Sequence, residues 1–398
     1  MAALDPSPEA GAECDNNQDD DGDGGVNEGC GRVGAKSESG NDCLNAENDD
    51  GLGDNPDDDV VNDGCPPVFA LWVFPPDTKE GKRLNLTSIY GAPLLDGDTV
   101  YFGAYDGNVY ALSASDGIPL WRFETDDKVI GSLAWKDGTL YVGSSDGRLY
   151  AIDTARCVNS CPRSSARIFD TGSSIWASPL VVNDEIYVAA IDGRLHALDA
   201  MTLDPVPGFS FQTAAGLLMD PTLASDDTLL VGGIDSELYA LDLKTGEQRW
   251  KAPFKSGNWL WGKPLVNEDA VYIADLDGNV YAVDLGDGTP KWASPFEAEA
   301  SIRSALVLAG DALVAVDRRG NAYGINPEDG SRRWGPTILG KTVFSDPLLL
   351  QAATATTPAT DVQGESEVLI FAQGGDLCRI HPADGTPAGA ALCAKVPS

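Results

Sequence analysis

Three carboxylates at alternate positions, Asp19, Asp21 and Asp23, stand directly before Gly24 near the start of the chain. That spacing lets a curled loop aim hard oxygen ligands at one cation, with Gly24 permitting the sharp bend and Glu28 offering a further carboxylate, and calcium is the natural guest. The run from Cys14 to Cys30 that holds these acids is echoed between Cys43 and Cys65, where Asp49, Asp50, Asp57, Asp59 and Asp63 supply the carboxylates. Both runs end in Val-Asn-acid-Gly-Cys, although an insertion disturbs the spacing of the second. The twelfth position counted from Asp19 is Cys30, where a full EF-hand loop carries Glu. A solvated acidic linker is the competing reading of both runs.

The remaining reactive side chains are sparse. Local spacing pairs the eight cysteines as Cys14 with Cys30, Cys43 with Cys65, Cys157 with Cys161, and Cys378 with Cys393. Zinc competes for the first four, but the arm that carries them has neither His nor Cys-x-x-Cys, which favours disulfides and a compartment outside the cytoplasm. There are only two histidines, His196 and His381. With no Gly-rich phosphate loop and no Cys-x-x-Cys-His, the usual general base, metal ligand and cofactor signatures are nearly absent. Both histidines are expected to be structural and the protein to be no enzyme.

Composition divides the chain at about residue 67. Residues 1–67 carry 19 acidic residues against two basic ones, nearly half of the total formal charge of −35. So much self-repulsion with so few aromatics cannot build a hydrophobic core, so this arm needs cations and crosslinks to be ordered. Residues 68–398 read differently: a core strand, an Asp-Gly-like tip, a Tyr-Ala-Leu-Asp-like strand and often a turn ending at Trp recur seven times. The tip positions Gly107, Gly147, Gly193, Ser236, Gly278, Gly320 and Gly375 are 40, 46, 43, 42, 42 and 55 residues apart. A period near forty, built from short strands and tight turns, predicts an all-β, seven-bladed β-propeller of four-stranded antiparallel blades. An eighth blade drawn from residues 66–90 and the C-terminus is the alternative. The spare strand Phe69–Phe74, with Trp72, is expected either to close the ring or to pair with a neighbouring molecule.

The segments Ala240 to Trp250, Ala282 to Trp292, Ala111 to Trp121 and, less closely, Gly324 to Trp334 resemble the tryptophan-docking repeat of pyrroloquinoline-quinone-type propellers. The resemblance covers roughly residues 68–398 and implies a Trp that locks each blade to the next. Two copies lose the Trp, and Phe169 and the pair Phe209 and Phe211 stand as its substitutes. Quinoprotein alcohol dehydrogenases of this repeat type carry adjacent cysteines over the cofactor, and this chain has none. No quinone is therefore expected, and quinone-dependent dehydrogenation is the disfavoured reading. The acidic arm resembles the calcium-rich, disulfide-closed repeats of thrombospondin type 3 and dockerin-like loops.

One further periodicity points to a contact surface. Three residues before each strand-one anchor the chain places Tyr90, Ile130, Trp176, Leu218, Trp261, Ile302 and Phe344, apolar in every copy. Equivalent positions on seven blades form a ring, so Tyr90, Trp176, Trp261 and Phe344, with Trp259 nearby and Trp72 on the spare strand, are candidate partner-binding residues; inter-blade packing is the alternative. The acidic balance disfavours nucleic acid and anionic lipid as partners, and no apolar run is long enough for membrane insertion. The expected function is that of an extracellular or surface structural protein of bacterial origin, with a calcium-stabilised arm, contacting protein partners that include other copies of itself. A periplasmic scaffold similar to the propeller lipoprotein of outer-membrane barrel assembly is the alternative. Met1-Ala2-Ala3-Leu4-Asp5 is no secretory leader, so a leader is expected outside this chain.

Overall fold

The computed structural model describes residues 89–350, 366–372, 376–388 and 392–395. The described strands form seven four-stranded antiparallel sheets, each built from four strands consecutive in sequence. Blade one is Leu94–Asp96, Thr99–Gly103, Asn108–Ser113 and Pro119–Glu124, and blade seven is Leu348–Leu350, Glu367–Ala372, Asp376–Ile380 and Cys393–Lys395. The seven-bladed architecture expected from the period is the one observed, and no eighth sheet occurs among the described residues. The fourth strand of the last blade is Cys393–Lys395, held to the third by the Cys378–Cys393 disulfide. Phe69–Phe74 with Trp72, the arm's acidic residues, and Cys14, Cys30, Cys43 and Cys65 lie outside the described residues.

Stacking explains why strand three is apolar on both sides. In blade two, Tyr150 and Ile152 enter a cluster with Val109, Ala111 and Phe123 of blade one. Leu149 and Ala151, on the opposite face of the same strand, pack with Ile186, Val188 and Leu198 of blade three. A lone sheet would leave one of these faces wet; burial is worth about 1.5–3 kcal/mol per large side chain. The tips need glycine for two reasons. Gly278 and Gly320 have φ of +92° and +80°, and a Cβ there would lie 2.3 Å from the Ala300 carbonyl oxygen and 2.0 Å from that of Lys341. The turn and the next inter-blade loop thus both require the missing side chain. Ser236 takes the same left-handed conformation in blade four.

The tryptophans dock as the repeat implies. The indole Nε1 of Trp250, Trp292 and Trp334 donates to the carbonyl oxygens of Leu285, Pro327 and Pro382 in the next blade, at 2.9, 2.9 and 2.8 Å. Each ring covers a turn glycine, Gly288, Gly330 or Gly385, where a Cβ would come within 2.3–2.7 Å of it. Trp121 has no such turn to cover, and shares its cluster with the Cys157–Cys161 disulfide.

The proposed substitutes need correction. Register places Phe169 opposite Leu149 and Phe211 opposite Leu195, as Phe123 lies opposite Val109. Phe123, Phe169, Phe211, Phe254 and Phe296 form a separate series, packing edge-on against Tyr150, His196, Tyr239, Tyr281 and Tyr323 of the following blade. The Trp place in blade two belongs to Arg167, opposite Ala151, and in blade three to Phe209, which packs against Tyr187. Phe and Trp two or four residues apart on one face cannot be told apart by composition; only the ladder separates them.

Candidate functional site

The link from strand four to the next strand one passes over the face that carries the strand-two-to-strand-three tips. There the backbones of successive blades touch. A Cβ on Gly91 would lie 2.5 Å from the Gly131 carbonyl oxygen, one on Gly131 2.8 Å from that of Ala177, and one on Gly262 2.6 Å from that of Ser304. This tight crossing turns the preceding residue of each link into the central channel. The following residue hands its N–H to the next blade's side chain: Ala92 to Ser132 Oγ at 2.8 Å, Ser132 to Ser178 Oγ at 2.8 Å, Ser178 to Asp220 Oδ1 at 2.6 Å, and Ala305 to Asp346 Oδ1 at 2.6 Å. The relay breaks at Lys263, Ala305 and Ala92, whose side chains have no acceptor.

Together these positions line a cavity of about 220 Å³ to which all seven blades contribute. Its upper ring is Tyr90, Ile130, Trp176, Leu218, Trp261, Arg303 and Phe344; its lower level holds Ser132, Ser178, Asp220, Lys263 and Asp346. Tyr90 of blade one meets Phe344 of blade seven edge-on at 5.9 Å, which closes the circle. Trp176 and Trp261 approach to 5.9 Å past blade four, and the Arg303 guanidinium lies 5.3 Å from the Trp261 ring centre. Burial, helped by the Asp346 charge and opposed by the Ser178 hydrogen bonds and the Lys263 charge, pushes the Asp220 carboxyl up to about 6. Partial desolvation raises Asp346 as well, opposed by the Ala305 N–H and by Lys263. Asp220 is half-buried and Asp346 exposed, so both carboxyls are open to solvent.

Four of the sequence candidates, Tyr90, Trp176, Trp261 and Phe344, are therefore brought to one cavity. Trp259 is 43% exposed on the same face, beside the cavity and not in its lining. Ile302 does not belong to the ring. It is fully buried, and Arg303 takes its place, because Val307 pairs with Val314 as Leu265 pairs with Tyr272. The blade-six anchor is thus Leu306, one residue later than Ala305, the position three residues after Ile302. Sequence reasoning also missed Asp220, Lys263 and Asp346. The available signal was the polar residue directly before Pro221, Pro264 and Pro347, overlooked beside the aromatic periodicity.

The histidines sit among structural series. His196 replaces the strand-three Tyr; burial lowers its pKa, and its Nε2 is buried without a partner. Elsewhere the Tyr hydroxyl donates to a tip carboxylate: Tyr110 to Asp106 at 2.7 Å, Tyr150 to Asp146 at 2.6 Å, Tyr239 to Asp235 at 2.8 Å. In blades five and six the acceptor is a fully buried carboxylate two residues earlier, Asp275 or Asp317, which also takes backbone N–H groups of its own tip. His381 forms the last strand-three-to-strand-four turn, accepting from Gly385 N–H as Asn326 accepts from Gly330. Among the described residues no group of three or more His, Cys, Asp or Glu side chains is placed to hold a metal ion, and no helix is long and apolar enough to cross a membrane.

A family model described as outer membrane protein assembly factor BamB matches residues 70–200 and 209–384. The chain belongs to this family. BamB from Moraxella catarrhalis is similar in structure, with a TM-score of 0.61 and 18% identity over 78% of this chain and 89% of that one. A computationally designed protein, Ika8, reaches 0.59 at 13% identity over 77% of this chain and 87% of its own. The WD40 propeller domain of Doa1 reaches 0.52 at 14% identity over 73% and 90%. At such identities the likeness concerns the fold. Among curated proteins none matches the chain significantly. The BamB family match confirms the repeat type read from the sequence.

Proposed function

We propose that this chain is a non-catalytic protein-interaction scaffold that works outside the cytoplasm, in the bacterial envelope or on its surface, and meets its partner with the face around the channel mouth. The carrying observation is that each of the seven blades delivers one side chain to a single ring, five of them aromatic or cationic, with Trp259 and Tyr105 exposed beside it. Aromatic and Arg side chains gathered at the centre of a surface are what protein interfaces concentrate. The description of the family as an assembly factor agrees with a role in contact. A binding role also accords with the acidic channel floor, which disfavours an anionic quinone.

The acidic arm has a separate part in this proposal. Its Asp19, Asp21, Asp23 and Glu28 bind calcium, Asp49, Asp50, Asp57, Asp59 and Asp63 repeat the arrangement, and the ordered arm tethers the propeller to a partner or to a second copy. The support is the carboxylate spacing and the charge density of residues 1–67. Light scattering with calcium and with chelator reads this: a monomer mass in both removes self-association from the proposal.

The contact face is tested by placing a photo-crosslinking amino acid at Trp259 or Tyr105 and, on the opposite face, at Met201, in the cells that make the protein. Adducts to a defined partner protein from the first two sites and not from Met201 support the proposal. Equal adducts from all three, or none from the mouth, overturn it.

A further inference from the structure

On the reading of the channel mouth as a contact surface, its chemistry also defines what enters it. An engineered cavity of about 150 Å³ accepts benzene, whereas drug-sized ligands occupy roughly 300–1,000 Å³. The cavity of about 220 Å³ therefore has room for one side chain. Its walls at the upper level are the rings of Tyr90, Trp176, Trp261 and Phe344, whose faces attract cations. Arg303 already covers Trp261, and Lys128 covers Tyr105, the fifth ring of the lining, which leaves Tyr90, Trp176 and Phe344. Below them two carboxylates face a single ammonium. Each carboxylate accepts a backbone N–H, and Lys263 acts on both through its charge without an ion-pair contact, so the two carboxylates and one ammonium keep a net negative charge. At the rim, Trp176 Nε1 and Arg303 Nε are buried donors without an acceptor. Buried donors of this kind call for an explanation, and a carbonyl brought by an occupant supplies one after a small side-chain rotation.

We propose that the channel receives one basic side chain, arginine or lysine, projecting from a partner polypeptide, with its charged head between Asp220 and Asp346 and its stem against the aromatic ring. The backbone carbonyl of the same residue then meets the rim donors. The overall charge of −35 steers a basic partner segment toward this protein. A calcium ion fits less well, since it takes about 6–8 oxygen ligands and Lys263 opposes it. Protonation of either carboxyl removes the charge that the head requires. The groups acting on Asp220 are Asp346, Lys263 and Ser178, Arg303 is the other charged group of the lining, and no histidine lines the channel, so loss of binding as pH falls through about 6 reports Asp220.

The test uses the full chain and capped amino acids. N-acetyl-arginine methylamide is titrated while the indole N–H resonances of Trp176 and Trp261 are followed by NMR, beside the neutral isostere N-acetyl-citrulline methylamide, methylguanidine, and calcium alone. Expected are saturable shifts with the arginine probe near pH 7, none with citrulline, and affinity weakened by about fivefold or more in Asp220→Asn, in Asp346→Asn, and near pH 5. Shifts of equal size with citrulline, or affinity unchanged in both variants, overturn the inference. Methylguanidine binding as tightly as the capped residue overturns the side-chain assignment, as does calcium alone producing the shifts. Crosslinks from Trp259 and Tyr105 alongside such failures leave the contact face standing and remove only this occupant.

Discussion

The perimeter and the axis of this propeller use the same repeat in opposite ways. At the perimeter, blades four, five and six place Trp250, Trp292 and Trp334 on Gly288, Gly330 and Gly385 with the same hydrogen bond, so geometry and chemistry repeat together. At the axis the geometry repeats while the chemistry does not: the seven equivalent positions hold Ala92, Ser132, Ser178, Asp220, Lys263, Ala305 and Asp346. Packing one blade on the next asks for the same shape each time. Recognising a partner asks for unlike groups at defined places, and a fixed frame carrying varied side chains provides them.

The largest effect expected from breaking this contrast lies at the perimeter. Trp292→Ala removes a buried ring and its bond to Pro327, which costs about 3–5 kcal/mol, read as a lower denaturation midpoint. Arg167→Ala, at the equivalent place in blade two, is exposed and reaches Ala200 only at 3.5 Å. It is expected to cost less than about 1 kcal/mol. Similar losses from both would show that the Trp is no lock between blades.

This contrast also explains what was legible in the sequence. Gly107, Gly278 and their relatives announced the blades because a left-handed turn with a crowded neighbour admits almost no other residue. Trp250 and Trp292 did the same for docking. Tyr90, Trp176, Trp261 and Phe344 were visible as a ring because they share one chemistry. Asp220, Lys263 and Asp346 were not, since a position that changes from Ser to Asp to Lys has no periodic signature, and only shared hydrogen-bond geometry unites it. Arg303 was lost to a one-residue offset that the ladder of blade six reveals. Asp275 and Asp317 escaped because their Tyr partners lie six residues further on, across the hairpin, while the neighbouring blades use a different Asp.

A middle-sized effect of the opposite sign is expected at the axis. Asp220 holds its proton up to about 6 in the folded chain, above the unfolded carboxylate value near 4. Between those values the native state binds more protons than the unfolded one, so this contribution to stability is full below pH ~4 and is lost as pH rises to about 6. Asp220→Asn keeps an oxygen for the Ser178 N–H and removes the loss. It should stabilise the protein near pH 7 by about 1 kcal/mol, less than the full shift implies because water enters the channel. Little difference from wild type should remain near pH 4. A variant less stable than wild type near pH 7 would mean that Lys263 fully compensates the carboxylate, and the axis would then be as satisfied as the perimeter.

The smallest stability effect is expected where the proposed contact surface is most exposed. Trp259 is 43% exposed and lies outside the cavity lining, so Trp259→Ala should change the denaturation midpoint by no more than about 0.5 kcal/mol. If the mouth is a contact surface, the same change should weaken partner binding by about tenfold or more, since aromatic anchors carry a disproportionate share of interface energy. A substitution that costs binding but not folding separates this region from the perimeter, where Trp292 is expected to cost folding. Should Trp259→Ala leave partner affinity unchanged while Asp220→Asn lowers it, the contact contracts to the channel itself and the exposed face around it becomes mere surface.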